Sequence, residues 1–125
     1  MHTNLFGAMQ AIPVVVPSLI KSRGKFIFIS SRMGSISLTK TPNGTIYRAS
    51  KAALNSLVKT TSIENAPHGI TCFVMHPGWV KTDMGGTNAD LEPALSIAGM
   101  RKVIDNAAAD SNGRFFDYSG KELAW

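Results

Sequence analysis

The sequence predicts an α/β protein built around a parallel β-sheet. Segments with helical periodicity alternate with short apolar runs that are rich in β-branched and aromatic residues. The order along the chain is helix, strand, helix, strand, helix, strand, which is typical of parallel sheets with right-handed crossovers. The 125 residues are the size of a single domain, and 44% apolar with 17% charged residues is a globular composition.

The first predicted helix covers residues 4–20, and Pro13 and Pro17 are expected to bend or end it. The first strand is predicted at residues 25–30, where a continuous apolar run indicates a buried strand. Residues 31–45 are rich in Gly, Ser, Thr, Pro and Asn, and this composition predicts a long loop.

The second helix is predicted over residues 45–66. Its apolar residues recur at three- and four-residue steps, which places them on one face: Ala49, Ala52, Ala53, Leu57 and Ile63. A second buried strand is expected at residues 70–75, and the sequence His76-Pro77-Gly78 ends it.

The last third of the chain predicts one more helix and one more strand. Residues 83–91 are rich in Gly and Asn and indicate a mobile loop. Pro93 suits the first turn of a third helix that ends near Asn106. The apolar stripe of this helix is expected at Ile97, Met100, Val103 and Ile104, and a short strand is expected around residues 114–118.

Charge and composition limit the classes of function. The net charge is +5, with +8 on residues 1–81 and −3 on residues 82–125. Scattered solvated charges, an anionic cofactor and a nucleic acid could each explain the basic part. The basic residues are spaced singly and no nucleic-acid-binding motif accompanies them, so no nucleic-acid partner is expected.

The chain offers little for disulfide, metal or membrane chemistry. Its one cysteine, Cys72, excludes an internal disulfide framework and a Cys-rich metal site. No apolar run approaches the roughly 20 residues of a membrane span. The apolar stretch at residues 11–20 holds two prolines and no preceding basic segment, so it is a poor signal peptide. A cytoplasmic protein without a membrane partner is therefore expected.

The candidate chemistry lies around Ser31, Tyr47 and Lys51. Tyr47 and Lys51 are four residues apart at the start of a helix, so their side chains share a face. A neighbouring ammonium favours the phenolate form, which makes the pair a candidate proton donor with an electrostatic partner. The alternative is an ordinary helix terminus with a surface lysine. Ser31 follows the first strand, where parallel sheets present ligand-binding residues, although a plain strand-end turn would also place serines there.

Three further positions are candidates with equally simple structural alternatives. Pro77, Gly78 and Thr82 form a turn that offers backbone amides and a hydroxyl after the second strand, or that only ends this strand. Asn4 is a polar residue near the start of an apolar helix, where an N-cap role is the simpler explanation.

Taken together, these motifs resemble the short-chain dehydrogenase/reductase family. The motifs are Asn4-Leu5-x-Gly7, Ile29-Ser30-Ser31-x-x-Gly34, Tyr47-Arg-Ala-Ser-Lys51 and His76-Pro77-Gly78-Trp-Val-x-Thr82. The tail, with Gly85-Gly86-x-Asn88-Ala89, looks most like the C-factor-like carbonyl reductase subgroup. The resemblance implies the C-terminal part of a Rossmann-like doubly wound parallel sheet, and the 125 residues would be one partial domain of that kind.

The resemblance also implies roles for the candidate residues. Tyr47 would be the catalytic acid/base, Lys51 would tune it and hold the nicotinamide ribose, and Ser31 would orient a carbonyl or alcohol. Asn4 would position a water in a proton relay. The nicotinamide end of NADP or NAD would contact Pro77, Gly78 and Thr82. A homo-oligomer would form through helices at residues 4–21 and 45–66.

The family's Gly-rich phosphate-binding turn is absent from these residues, since neither Gly-x-x-x-Gly-x-Gly nor Gly-x-Gly-x-x-Gly occurs. We therefore expect the C-terminal half of a family member, truncated before the nucleotide-binding half, which binds NADP(H) weakly or not at all by itself. Two hypotheses follow: an oxidoreductase that transfers hydride between NAD(P)(H) and a carbonyl or alcohol, or a catalytically inactive remnant that only associates. A nucleic-acid-binding module is a weaker third.

Overall fold

The computed structural model describes residues 5–80 and 91–125, so Asn4, Thr82 and most of the predicted loop at 83–91 lie outside the described residues. Three parallel strands form one sheet: β1 (Lys25–Ile29), β2 (Thr71–His76) and β3 (Phe115–Asp117), in the spatial order β1-β2-β3. Three α-helices, α1 (Gly7–Ser22), α2 (Thr45–Asn65) and α3 (Pro93–Asn106), alternate with these strands. The predicted α/β alternation and parallel sheet are confirmed.

Helix α1 runs through both of its prolines. Pro13 and Pro17 were expected to bend or end the helix. The helix extends to Ser22, so neither proline ends it. Both prolines lie on the exposed side of the helix, whereas the opposite side is half-buried and includes Ala8, which packs against the core. Packing of this apolar side offsets the roughly 3 kcal/mol that a proline costs inside a helix.

Strand β1 is half-buried, although its sequence predicted a fully buried strand. The ends of β1 are exposed and its centre is intermediate, and Ile29 is 49% exposed. Among the described residues β1 pairs with β2 alone, so it forms an edge of the sheet, while β2 is paired on both sides and four of its six residues are buried. An apolar run therefore indicated a strand correctly without indicating its position in the sheet.

The core lies between α2 and one face of the sheet. Residues from α2, from alternate positions of β2 and β3, and from the C-terminal tail form one buried cluster: Leu54, Val58, Cys72, Val74, Phe115 and Leu123. The ring of Trp125 stacks on Phe115 with centroids 5.5 Å apart. Complete burial of side chains of this size stabilises the fold by about 1.5–3 kcal/mol each.

The two crossover helices lie on opposite faces of the sheet. Phe116 faces away from the α2 side, where its ring meets Phe73 edge-on at 5.5 Å, and it lines a cleft together with Leu95 and Val103 of α3. Both crossovers advance in the same direction across β1, β2 and β3. Two helices on opposite faces therefore give crossovers of opposite hand, so the expectation of right-handed connections throughout is wrong.

The buried face of α2 differs from the predicted one. Ala49 and Ile63 are exposed, and the buried positions carry mostly small polar residues: Ser50, Leu54, Asn55, Val58, Thr61, Ser62 and Asn65. Most of these polar side chains return a hydrogen bond to the preceding turn, as Thr61 Oγ1 does to the Leu57 carbonyl at 2.9 Å. Such local bonds satisfy the hydroxyls and let the residues be buried, which hides the face from a purely hydrophobic pattern.

The first half of the long loop after β1 is held by hydrogen bonds to the C-terminal tail. Its first turn is a short 3-10 helix, η1 (Arg32–Gly34), and the buried Ser35 hydroxyl donates to the Ala124 carbonyl at 2.6 Å and accepts from Leu38 N at 3.2 Å. Ser37 N donates to the Trp125 carbonyl at 3.1 Å. The C-terminal tail therefore holds this loop beside the carboxyl ends of the strands.

No helix within residues 5–80 and 91–125 has the length and hydropathy needed to cross a membrane.

Candidate active site

A cavity of about 660 Å³ opens where β1 and β2 end, within the volume range of small-molecule sites. Residues from the two strand ends, from the loop after β1 and from the start of α2 line it: Ser30, Ser31, Arg32, Met33, Leu38, Asn43, Tyr47, Arg48, His76, Pro77, Gly78 and Trp79. Parallel strands leave such a crevice at their carboxyl ends because the chain departs there in different directions.

Ser31 and Tyr47, which are sixteen positions apart in the sequence, line the same cavity. Ser31 caps η1, and its Oγ accepts a hydrogen bond from Met33 N at 3.1 Å. This bond fixes the oxygen and leaves the hydroxyl hydrogen available to a ligand. Tyr47 lies in the first turn of α2 and is 43% exposed, with its side chain in the same cavity.

Lys51 lies one turn after Tyr47, with its Nζ 5.8 Å from the centroid of the Tyr47 ring. Partial burial lowers the pKa of Lys51 from its ordinary value of 10.5, because desolvation disfavours the ammonium. Within the described ranges this ammonium has no hydrogen-bond acceptor, so its donors are available to a ligand beside Tyr47. Lys51 itself does not line the cavity but adjoins it through Tyr47.

Gly34 fixes how closely η1 approaches α2. It is buried, and a Cβ added there would lie 2.9 Å from the carbonyl carbon of Lys51. Only glycine allows the loop that carries Ser31 to rest on the backbone of α2 at the turn that carries Lys51. The glycine of the motif Ser30-Ser31-x-x-Gly34 therefore has a direct steric explanation.

The turn after β2 forms another wall of the cavity. Gly78 has φ +85°, in the left-handed region that favours glycine, and an added Cβ would lie 2.9 Å from Tyr118 Cδ1. The Ser96 hydroxyl of α3 donates to the Pro77 carbonyl at 2.6 Å and thereby anchors the turn. The structure places Pro77 and Gly78 at the cavity, whereas the predicted Asn4 and Thr82 lie outside the described residues.

The sequence alone did not single out several other lining residues. Ser30 Oγ, just after β1, and His76 Nδ1, at the end of β2, are buried without a hydrogen-bond partner in the described part of the chain. Burial lowers the pKa of His76 from 6.5; the carboxylate of Asp117 opposes this shift and the guanidinium of Arg32 adds to it. The one available signal for His76 was its place before Pro77-Gly78. No group of three or more potential metal ligands occurs within residues 5–80 and 91–125.

Comparison with known proteins shows the family to which the chain belongs. The family model described as short chain dehydrogenase matches residues 1–92. This chain belongs to the short-chain dehydrogenase family. The C-signal of Myxococcus xanthus is similar, with 39% identity over 123 residues that cover 98% of this chain and 74% of that protein.

Solved structures agree with this membership. The carbonyl reductase Sniffer of Drosophila melanogaster superposes with a TM-score of 0.95 at 34% identity, over 99% of this chain and 55% of that one. A carbonyl reductase from Pseudomonas aeruginosa PAO1 in complex with NADP gives a TM-score of 0.83 at 35% identity, over 99% and 54%. The chain spans about half the length of these reductases, which agrees with the predicted partial Rossmann-like fold.

Proposed function

We propose that this chain carries the proton-transfer and substrate-orienting part of a carbonyl reductase site that works with a nicotinamide cofactor. The observation that carries the proposal is the convergence of Ser31, Tyr47 and the turn Pro77-Gly78 on one cavity, with the ammonium of Lys51 beside the phenol. Neither the strand end nor the helix could form this arrangement alone. Similarity to the carbonyl reductases of Drosophila melanogaster and Pseudomonas aeruginosa supports the same reaction class.

In this proposal Tyr47 donates a proton to the carbonyl oxygen of the substrate during reduction, and accepts it during alcohol oxidation. The Ser31 hydroxyl donates a hydrogen bond to the same oxygen, because its own oxygen is already held by Met33 N. The positive charge of Lys51 stabilises the phenolate that is left after transfer. Asn4 would position a water that returns the proton through Lys51.

The described residues fit the nicotinamide end of NADP or NAD. The donors of Lys51, which have no acceptor among the described residues, suit ribose hydroxyls. Pro77 and Gly78 line the cavity next to Tyr47, with Thr82 as the further proposed contact. The bound cofactor would supply the hydride that reaches the carbonyl carbon. We favour NADP because similar reductases were solved with NADP or NADPH bound.

We expect weak cofactor binding by the 125-residue chain alone, because it contains no Gly-rich phosphate-binding turn. The remaining parts of the proposal are a small carbonyl or alcohol substrate, a cytoplasmic location and a homo-oligomer that associates through α1 and α2. The competing proposal is a catalytically inactive fragment that associates with other chains.

The test compares two hydride donors, NADPH and reduced nicotinamide mononucleotide, each at millimolar concentration with benzaldehyde as substrate. Since this chain supplies contacts only to the nicotinamide end, kcat/KM with NADPH should exceed that with the mononucleotide by no more than about tenfold. Tyr47→Phe should lower the rate by at least about 100-fold with both donors.

Tyr118→Phe is the matched control, because it removes the chain's other phenol and leaves the cavity unchanged. The rate of this variant should stay within about twofold of the unmodified chain. Turnover that survives in Tyr47→Phe, or a folded chain that oxidises neither donor, would refute the proposed activity, and the second result would favour the inactive fragment.

A further inference from the structure

Arg32 places a guanidinium at the candidate site that has no partner among the described residues. Arg32 follows Ser31 directly, is exposed, and lines the same cavity as Ser31 and Tyr47. Its guanidinium forms no hydrogen bond or ion pair with any residue of ranges 5–80 and 91–125. An exposed guanidinium with five unused donors beside a binding cavity is suited to a ligand oxygen that carries negative charge.

The other arginine of the cavity is already occupied. Arg48 Nε donates to the Asn43 carbonyl at 2.7 Å, and its Nη2 donates to Asn43 Oδ1 at 3.2 Å and to Thr41 Oγ1 at 3.3 Å. These bonds hold the loop that forms one wall of the cavity, so the Arg48 guanidinium has a structural role there. Among the described residues, the cavity lining includes two charged side chains, Arg32 and Arg48, and no acidic one.

The charge of Arg32 acts across the cavity. His76 lines it from the end of β2, and the proximity of the Arg32 guanidinium contributes to the lowered pKa of that imidazole. Asp117, on the neighbouring strand, acts on His76 in the opposite direction, but its Oδ1 accepts from Ser119 N at 2.9 Å and from Lys121 N at 3.0 Å. Asp117 is therefore committed to its own turn and does not line the cavity.

The remaining walls are apolar. Met33 and Leu38 line one side, and Trp79, which is 55% exposed, lines another. An exposed tryptophan beside a cavity offers a flat surface for an aromatic or aliphatic frame. The cavity thus combines an apolar wall, the Arg32 guanidinium, which has no partner among the described residues, and the Ser31 and Tyr47 hydroxyls.

We propose that Arg32 is a specificity residue that binds an anionic oxygen group, a carboxylate or a phosphate, on an apolar carbonyl substrate. This inference rests on the proposed function, since Ser31 and Tyr47 are taken to hold the carbonyl of the same molecule. A guanidinium binds either anion through paired hydrogen bonds, which lysine cannot reproduce with the same geometry.

The test uses three aldehydes of similar shape: 4-carboxybenzaldehyde, 4-formylphenyl phosphate and the neutral methyl 4-formylbenzoate. With NADPH as donor, at least one anionic aldehyde should have a kcat/KM about tenfold above that of the neutral ester. Arg32→Gln should abolish this preference by lowering the rate with the anionic aldehyde, while the ester stays within about twofold. Arg32→Lys should retain part of the preference. The exposed Arg101→Gln is the matched control and should retain all of it.

Equal kcat/KM for all three aldehydes, or an equal loss for all three in Arg32→Gln, would overturn the inference. A rise in KM for NADPH in Arg32→Gln would assign the residue to the cofactor and also overturn it. Binding of the same aldehydes is followed separately by tryptophan fluorescence without cofactor. If no aldehyde is reduced, the reductase proposal fails. In that case, tenfold tighter binding of an anionic aldehyde that is lost in Arg32→Gln would still support the Arg32 subsite. The absence of such a preference in binding would refute both proposals.

Discussion

Replacing Gly34 with alanine should disturb the contact that sets Ser31 relative to Tyr47. The new Cβ would lie 2.9 Å from the carbonyl carbon and 2.9 Å from the Cβ of Lys51, and 2.9 Å from Asn55 Nδ2. The Asn55 amide can rotate, but the two Lys51 atoms belong to the frame of α2 and cannot turn aside. Ordinary contact distances begin at 3.4 Å, so η1 must move off α2 by about 0.5 Å.

A displacement of this kind in a packed interior costs about 1–3 kcal/mol. Alanine also reduces the conformational entropy of the unfolded chain, which stabilises the folded state by about 0.4–1 kcal/mol. These ranges leave a net loss of about 0–2.6 kcal/mol, and from their middle we expect Gly34→Ala to lower the free energy of unfolding by about 1.3 kcal/mol. Because Ser31 moves with η1, kcat/KM for any carbonyl substrate should fall by about tenfold or more.

Urea unfolding followed by the fluorescence of Trp79 and Trp125 measures the first effect. Gly24→Ala is the matched control, because its Cβ would meet only Leu19 Cδ2 at 2.9 Å and Ser22 Oγ at 3.0 Å. Both atoms are ends of side chains that can rotate, so this variant should stay within about 0.5 kcal/mol of the unmodified chain. Equal stability of the two variants would refute the steric argument.

Three further predictions concern stability and thiol chemistry. Since burial holds the pKa of His76 below 6.5, the unfolded chain binds this proton first as pH falls. The free energy of unfolding should therefore fall below about pH 6.5 by at most about 1.4 kcal/mol per pH unit. His76→Asn should flatten this dependence in urea titrations, whereas the exposed His68→Asn should leave it, and an unchanged slope in His76→Asn would contradict the cause. Burial raises the pKa of the Cys72 thiol to about 12, so DTNB at pH 8 should label the native chain no faster than it unfolds; immediate labelling would contradict its burial. Ser35→Ala should lose about 1–3 kcal/mol because two loop hydrogen bonds disappear, while the exposed Ser37→Ala should lose less than about 0.5 kcal/mol; equal losses would show that these bonds contribute little.

The sequence was informative where a local rule decides the structure. In the described residues, the positions of the three α-helices and three strands follow from periodicity and from Gly and Pro, and the helix at Pro93–Asn106 agrees at both ends. Glycine and serine in the motif around Ser31 indicated a turn at a strand end, and the structure adds the reason for Gly34. The family resemblance rested on such local motifs, and the matching family model confirms it.

Features that depend on tertiary context were not predictable. The half-buried state of β1 follows from its edge position, which no property of its own sequence reveals. The buried face of α2 carries hydroxyls that are satisfied within the helix, so its hydrophobic pattern pointed elsewhere. The opposite faces taken by α2 and α3 are likewise a property of the assembled sheet.

The residues of the cavity show the same contrast between features that the local sequence predicts and features that depend on tertiary structure. Tyr47 and Ser31 were recognisable as a pair because a helix start and a strand end both have clear signals. Arg32 and Trp79 carried no such signal, since an exposed arginine and an exposed tryptophan have many ordinary explanations. Their significance emerges only once the loop, the strand ends and α2 are seen to surround one space.

The most direct test of the central claim is deuterium transfer by the chain to benzaldehyde from NADPH that is deuterated at both C4 positions, followed by mass spectrometry of the benzyl alcohol. This measurement detects single turnovers, so weak cofactor binding does not obscure it. If Ser31, Tyr47 and Lys51 form a working reductase site, the alcohol should carry one deuterium at carbon, and Tyr47→Phe should abolish its formation. Labelled alcohol at an equal rate from Tyr47→Phe, or none from the folded unmodified chain, would contradict the claim.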